Sequence, residues 1–244
     1  MDVHDAVALL EVAGTEQNRQ TYRRHGAGDV QFGVSFKDLR AMARRIGRDD
    51  ALARGLWATV NADARLLACM VADPNRMTEA DLDAWLAEIS YYVLVDEFVA
   101  GAASQVPGVR ERAGRWIASH RDWTAQAGWD LVGAMAMRDP EVPDAYFADR
   151  LVEIESGIGE AGNRTRHAMN GALIAIGLRS DALREAAVSA AERIGPVVVD
   201  HGQTGCVTPT AAPYIAKTVA YRAAQAAKRA AKVGAAANPA AGAG

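Results

Sequence analysis

The apolar residues of this chain recur with the spacing of a helix, and this pattern constrains its fold more than any other feature. One stretch places four of them at i, i+3, i+4 and i+7, which share a helix face: Leu82, Trp85, Leu86 and Ile89. The β-branched run Val197–Val199 stands alone and is too short to build a sheet. The sequence therefore predicts an all-α protein.

Polar residues predict where two of the helices begin. Thr78, with Asp81 three residues later, predicts a capping box at one helix start. Asp122 is expected to cap the helix that runs from it toward Met137. Both predictions rest on neighbours in the sequence alone.

A weak internal repeat predicts how the helices pack. The segment Leu56–Thr59 leads through a short break into a helix that ends at Asp73-Pro74, and Trp116–Ser119 leads likewise into one that ends at Asp139-Pro140. Helices joined by such short turns lie antiparallel as hairpins. Repeated hairpins stack on one another, so we expect an α-solenoid with a concave face. A compact helical bundle is the alternative.

Composition is consistent with one soluble helical domain. The chain has 244 residues, of which 50% are hydrophobic, enough to bury a substantial core. We expect a single domain over residues 1–232 and a disordered tail over 233–244, where Ala, Gly, Asn and Pro predominate. No apolar run is long enough to cross a membrane. The two cysteines, Cys69 and Cys206, fit a reduced cytoplasmic setting better than a disulfide scaffold.

Charge is distributed unevenly along the chain. The formal net charge is −3, but no acidic residue follows Asp200. Beyond that point stand five basic residues: Lys217, Arg222, Lys228, Arg229 and Lys232. The first 200 residues therefore carry −8, from 22 basic and 30 acidic side chains. Basic segments of this kind can bind phosphate, and the alternative is that they only solvate helix faces.

Three segments carry short motifs in a defined order and spacing. Phe32–Arg40 contains Gly-Val-Ser-Phe-Lys-Asp-Leu-Arg, and Asp63–Ala68 reads Asp-Ala-Arg-Leu-Leu-Ala. The third segment runs from Met77 through Trp85 to Tyr-Val-Leu-Val-Asp, which ends at Asp96. Together they resemble the AlkD-like DNA alkylation repair family, which shows Gly-Val-x-x-Pro-x-Leu-Arg, Glu-x-Arg-Leu-Leu-Ala and Trp-Asp-x-x-Asp. The resemblance spans residues 21–214 and implies a HEAT-like repeat fold with a concave DNA-binding face.

The resemblance also implies an activity, hydrolysis of the N-glycosidic bond of purines alkylated at N3 or N7 in double-stranded DNA. Such a base is cationic and leaves readily, so a carboxylate beside the deoxyribose can stabilise the oxocarbenium-like transition state and position a water. Aromatic faces next to the cation add cation–π stabilisation. No cofactor and no metal are expected, since the chain has neither a Gly-rich phosphate loop nor zinc-ligand spacing.

Two residues match the catalytic positions of that family. Asp96 falls at the catalytic aspartate and Tyr92 at a catalytic tryptophan, and their i, i+4 spacing places ring and carboxylate on one helix face. The family's phosphate-binding arginine should follow Trp123 by three residues, where this chain has Gln126. The second catalytic tryptophan should lie near Gly171, and this chain has no tryptophan there.

The candidate DNA-binding residues are these family positions and basic residues placed to meet phosphates. They are Arg40, Arg44, Arg45, Arg65, Trp123, Gln126, Arg164, Arg166 and His167. The last three begin a helix, where positive charge opposes the helix dipole unless it serves an anion. The alternative for the basic residues is a solvated face, and for Arg65 it is an ion pair that braces the solenoid.

The densest polar cluster is the segment Asp200–Pro209. Cys206 and His201 are chemically able to form a nucleophile pair there. The alternative is a connecting loop that satisfies its own backbone through Asp200 and Thr204.

These observations give one leading hypothesis and two alternatives. The leading hypothesis is a cytoplasmic monomer, nucleoid-associated when bound to DNA, that binds double-stranded DNA with alkylated purines and excises them with Asp96 and Tyr92. The first alternative is a non-catalytic scaffold of the same HEAT-like fold that binds DNA or a protein. The second is an enzyme that acts on a small molecule through the His201–Cys206 loop. We expect no association with membranes.

Overall fold

The computed structural model of the protein describes residues 1–237, with side chains described through residue 230. Thirteen α-helices cover most of this part of the chain: α1 (Val3–Ala13), α2 (Glu16–Arg24), α3 (Phe36–Ile46), α4 (Asp50–Ala58), α5 (Ala62–Val71), α6 (Glu79–Ala87), α7 (Tyr92–Phe98), α8 (Val109–Ile117), α9 (Asp122–Arg138), α10 (Asp144–Gly157), α11 (Asn163–Gly177), α12 (Asp181–Ile194) and α13 (Ala211–Ala237). A 3-10 turn, Pro74–Arg76, precedes α6, and a π-helical turn, Val99–Ala103, continues α7. No β-strand occurs within residues 1–237. The prediction of an all-α protein is therefore confirmed.

The helices form two layers of a solenoid. The helices α3, α5, α7, α9, α11 and α13 contact one another in that order, and we call them the inner layer. The helices α4, α6, α8, α10 and α12 precede successive members of the inner layer and form the outer one. This alternation is the stacked-hairpin arrangement that the internal repeat predicts, and the HEAT-like solenoid with a concave inner face is confirmed.

Small residues and aromatic pairs hold neighbouring helices close together. Trp57 of α4 stacks on Trp85 of α6, with ring centroids 4.1 Å apart and an interplanar angle of 8°. A Cβ at Gly101 would overlap the carbonyl oxygen of Cys69, so only glycine allows the π-helical turn to pack this tightly on α5. Leu56 and Trp116, which occupy matching places in the internal repeat, are both buried. The repeated residues are therefore core residues.

The local predictions for α6 are also confirmed. The four residues of the predicted apolar stripe are all buried: Leu82, Trp85, Leu86 and Ile89. Thr78 and Asp81 form the capping box, since each side chain accepts the other residue's backbone N–H.

The C-terminal helix is longer than the sequence predicts. α13 continues to Ala237, five residues into the stretch that was expected to be a disordered tail. Alanine has the highest helix propensity of all residues, which explains why the helix continues through this segment. The rest of the predicted tail, residues 238–244, lies outside the part that the structure describes.

Candidate functional site

Three neighbouring helices of the inner layer bring five polar residues together. Tyr92 and Asp96 lie one turn apart on α7, and Gln126 and Asp130 repeat that spacing on α9. Arg164, in the first turn of α11, lies against the ring of the tyrosine and within electrostatic range of both carboxylates. We call these five residues the central cluster.

An amide links the two carboxylates of the central cluster. The Nε2 of Gln126 donates a hydrogen bond to Oδ1 of Asp96 at 2.9 Å and another to Oδ2 of Asp130 at 3.3 Å. Gln126 itself is fully buried, and its Oε1 has no hydrogen-bond partner within the described residues. The amide therefore orients both carboxylates from below the surface.

The environment of Asp96 disfavours its charge although its side chain reaches solvent. Protein atoms surround the carboxylate on the concave face, so water hydrates it incompletely. This desolvation raises the pKa of Asp96 to about 6, against the opposing effects of Arg164 and of the Gln126 hydrogen bond. Burial and the nearby Asp96 also raise the pKa of Asp130. Because the two carboxyl groups interact, they titrate as a pair and resist carrying two negative charges together.

Arg164 covers the aromatic ring of Tyr92. Its Cζ lies 4.0 Å from the ring centroid, a cation–π contact within the protein. The backbone of this arginine is fixed from α9, because the carboxylate of Asp122 accepts the N–H groups of Arg164 at 3.0 Å and Thr165 at 2.8 Å. Asp122 therefore caps α11, and the prediction that it caps its own helix is wrong. The Arg164 side chain is buried, so its charge partly offsets that of the two carboxylates and it presents no open phosphate contact.

The hydroxyl of Tyr92 is engaged as well. It pairs with Nδ1 of His25, in the turn that follows α2. Burial and Cys206, in the loop between α12 and α13, raise the pKa of Tyr92. Tyr92 thus has a partner on its ring and a partner on its hydroxyl.

The loop between α12 and α13 is fastened to α11 and folds on itself. Asn163 donates to the carbonyl oxygen of Asp200 at 2.8 Å. Within the loop, Asp200 accepts the N–H of Gly202 at 2.7 Å, and Thr204 donates to the carbonyl oxygen of His201 at 2.9 Å. These are the contacts of a loop that satisfies its own backbone.

The predicted nucleophile pair is not formed in this loop. The Nε2 of His201 lies 2.8 Å from Oγ1 of Thr208, and Cys206 is exposed, with its backbone N–H bonded to Thr204. His167, predicted to bind DNA, packs edge-on against His201 with ring centroids 5.5 Å apart. Burial and the charge of Arg164 lower the pKa of His167 to about 4, so it is neutral at pH 7 and adds no positive charge for a phosphate.

The arginines of α3 are placed quite differently. Arg40, Arg44 and Arg45 are exposed, and none forms an ion pair with another residue of the described chain. Lys37, which the sequence analysis did not select, precedes Arg40 by one helical turn and is exposed too. We call Lys37, Arg40 and Arg44 the α3 basic row, because their i, i+3 and i+7 spacing puts them on one face.

Two other predicted DNA contacts are engaged by groups of the protein itself. Arg65 is buried, donates to the carbonyl oxygen of Trp57 at 3.1 Å and pairs with Glu88, so the alternative of an internal brace is the one observed. Arg166 donates to four carbonyl oxygens, those of Ile158, Val198, Gly159 and Ala161. Both guanidinium groups already donate to carbonyl oxygens or a carboxylate of the protein, which corrects the prediction that Arg65 and Arg166 bind DNA.

Gln126 and Trp123 complete the set of predicted contacts. Gln126 is fully buried below the central cluster and is therefore a positioning residue, not a surface contact. Trp123 is half-buried in the first turn of α9 and packs against the core, and its contact with DNA stays a prediction.

Asp130 is a residue of the site that the sequence analysis missed. The repeat of i, i+4 spacing from Tyr92 and Asp96 to Gln126 and Asp130 was a visible signal for it.

Across the part of the chain that the structure describes, no group of three or more His, Cys, Asp or Glu side chains is arranged to hold a metal ion. No helix within residues 1–237 has the length and apolarity needed to cross a bilayer.

The fold and the central cluster define a HEAT-like repeat protein with a polar concave face. A family model described as DNA alkylation repair enzyme matches residues 6–215, and the chain therefore belongs to this family. This result confirms the resemblance found in the sequence motifs.

Similar proteins support that assignment. Two uncharacterised proteins, from Listeria innocua serovar 6a and Listeria monocytogenes serovar 1/2a, are each 30% identical over 204 residues, covering 80% of this chain and 88% of theirs. A solved structure is similar with a TM-score of 0.84 and 28% identity, covering 91% of this chain and 95% of the other. It is described as a new family of proteins related to the HEAT-like repeat DNA glycosylases with affinity for branched DNA structures.

Proposed function

We propose that this protein binds DNA on its concave inner layer and prefers branched DNA to linear duplex. The observation that carries the proposal is the α3 basic row, in which Lys37, Arg40 and Arg44 are exposed and unpaired within the described chain. Such cations displace counterions from the phosphate backbone, which is the main source of affinity for DNA. The preference for branched DNA is suggested by the similar protein that has this affinity.

Excision of N3- or N7-alkylated purines is the second candidate function. The carboxylate of Asp96 favours it, since this group reaches solvent on the concave face where the sugar of a bound nucleotide would lie. Two features weigh against a fast reaction. Arg164 covers the ring that would stabilise a cationic nucleotide, and Gln126 stands where the family has a phosphate-binding arginine. We therefore rank DNA binding without efficient excision above excision.

One set of measurements separates these functions. The protein is titrated into a labelled four-way junction, a linear duplex of the same length and the same duplex treated with a methylating agent, each at several salt concentrations. We expect the junction to bind most tightly, binding to weaken steeply with salt, and no 7-methylguanine or 3-methyladenine to be released above background.

Three outcomes would change the proposal. Failure to bind any of the three DNAs at low salt would refute it. Equal affinity for junction and linear duplex would refute the preference for branched DNA. Base release that disappears in a folded Asp96→Asn variant would establish excision instead, with thermal unfolding as the control for folding.

A further inference from the structure

Part of α13, from Ala220 to Ala230, lies outside the packed core. The helix has 27 residues, about 40 Å of length, and is the longest in the structure. Its first turns are anchored, since Ala211 and Ile215 are buried and the Ile215 side chain fits against Gly177 of α11. From Ala220 to Ala230 every residue except Gln225 is exposed. This segment is therefore a helix that no other described part of the chain covers.

The exposed helix has two different faces. At 3.6 residues per turn, the four described basic residues of α13 fall within an arc of about 140°: Lys217, Arg222, Lys228 and Arg229. Tyr221 and Gln225 lie within the same arc, whereas the exposed residues of the opposite side are alanines. We call this arc the α13 basic face.

The charge of the α13 basic face is not balanced by ion pairs. No acidic residue follows Asp200 in the sequence, and none of the four basic residues forms an ion pair with the described chain. Its one polar contact to the body joins Nη1 of Arg222 to the carbonyl oxygen of Leu178 at 3.4 Å. The four cations are spread over about 18 Å of helix, a length along which duplex DNA presents about ten phosphates.

The residues opposite the α13 basic face argue against a membrane as its partner. Helices that lie on a bilayer insert bulky apolar residues such as Leu, Phe or Trp opposite their basic face. The exposed part of α13 has alanines there, which bury little area. A polyanion needs only the cations, so nucleic acid is the complementary partner.

We propose that the α13 basic face is a second DNA-binding surface, which binds the phosphate backbone of a duplex arm that the α3 basic row does not hold. This proposal rests on the proposed function. The helices α3 and α13 are the first and last members of the inner layer, and the carboxylates of the central cluster lie on helices between them. Two cationic surfaces separated by carboxylates suit two duplex arms better than one continuous duplex.

The test replaces the four cations and compares the result with a matched control. One variant carries Lys217→Gln, Arg222→Gln, Lys228→Gln and Arg229→Gln. The control carries Ala220→Gln, Ala224→Gln, Ala227→Gln and Ala230→Gln, the same number of glutamines on the alanine face. Glutamine is a good helix former, so both variants should keep α13 helical, which circular dichroism checks.

We expect the first variant to bind a four-way junction about tenfold or more weakly at 0.1 M salt, with its log–log salt slope reduced by about 3 to 4. Linear duplex should be affected less, and the control should bind both DNAs as the unmodified protein does. Junction binding with unchanged affinity and slope would overturn the inference while leaving the proposed function intact. Absence of binding by the unmodified protein would overturn both.

Two further outcomes would name another partner. If the control loses junction affinity as strongly as the first variant, the alanine face is the contact and the inference is wrong. The first variant could instead leave junction affinity unchanged and change the molar mass of the protein in solution or its binding to anionic vesicles. The partner would then be a second copy or a lipid surface, and the inference would likewise be overturned.

Discussion

The centre of the inner layer and its two ends use charged residues in opposite ways. In the central cluster, Asp96 and Asp130 face Arg164, and Gln126 bridges the two carboxylates. At the ends, the α3 basic row and the α13 basic face expose cations that form no ion pair with the described chain. The centre is therefore compensated within the protein, whereas the ends are available for an external anion.

The difference shows that the number of arginines on a surface says little about DNA binding. Arg164 and Arg44 belong to the same layer, but the first is buried against Tyr92 and the second is exposed. A buried guanidinium stabilises the groups around it, and an exposed one can release counterions from phosphates. We therefore expect substitutions at the centre to change stability and substitutions at the ends to change affinity.

The largest effect should follow Arg164→Met. This substitution removes the cation that faces two carboxylates, and we expect the free energy of unfolding at pH 7 to fall by on the order of 3 kcal/mol. Arg44→Met is the matched control, and its exposed site should change stability by less than about 0.5 kcal/mol. Urea unfolding of both variants makes the measurement. Equal stability losses would show that the cation facing the two carboxylates stabilises the fold no more than the exposed cation of α3 does.

The next effect should follow the double variant Arg40→Gln/Arg44→Gln. We expect DNA affinity to fall about tenfold and the salt slope to fall by about 2, with stability unchanged, because two phosphate contacts are lost. Arg76→Gln/Arg110→Gln removes the same charge from exposed sites away from the inner layer and should leave affinity nearly unchanged. Comparable losses in both double variants would mean that net charge, not the α3 basic row, determines binding.

The sequence predicts elements of this fold well where the interactions are local. The stripe from Leu82 to Ile89 is buried and the Thr78–Asp81 capping box forms, because both depend on residues within two helical turns. The cap predicted for α9 fails for the opposite reason. Asp122 has the right side chain for a cap, but the N–H groups it accepts belong to Arg164 and Thr165, more than 40 residues away.

The predictions for the site also succeed where the interactions are local and fail where the partners are distant in the sequence. The spacing of Tyr92 and Asp96 correctly placed ring and carboxylate on one face of α7. Arg65 and Arg166 were selected for charge alone, and their partners are carbonyl oxygens and a carboxylate supplied by other helices and loops. No pattern in the sequence around these arginines specifies such partners, so these internal hydrogen bonds could only be seen in the structure.

A smaller effect should appear in the pH dependence of stability. The pKa of Asp96 is raised to about 6 in the folded protein, above its value in an unfolded chain. At a pH between these two pKa values, the folded state retains a proton that the unfolded state has released. Stability should therefore fall as pH rises from about 4 to 6 and stay lower above that range. Asp96→Asn should reduce this fall to the part that is due to Asp130, and should give about 1 kcal/mol of relative stabilisation at pH 7 after allowance for solvent screening of the exposed carboxylate.

Asp149→Asn is the control for that titration, since Asp149 is exposed and lies outside the central cluster. The difference in stability between this variant and the unmodified protein should not change between pH 4 and 7. A constant difference for Asp96→Asn as well would show that the concave face does not disfavour the charge of its central carboxylate.

The smallest effect should follow Tyr92→Phe. The substitution removes the hydroxyl that pairs with His25 but keeps the ring under Arg164, so we expect a loss of about 0.5 to 1 kcal/mol in stability and no change in DNA affinity. Tyr92→Leu, which removes the ring as well, should cost more by about 1 kcal/mol, because the buried guanidinium then loses its cation–π partner. Calorimetric unfolding of both variants, with junction binding measured in parallel, separates the two contributions. Equal losses would assign the role of Tyr92 to its hydroxyl, and a loss of DNA affinity in either variant would move the DNA contact from the ends of the layer to its centre.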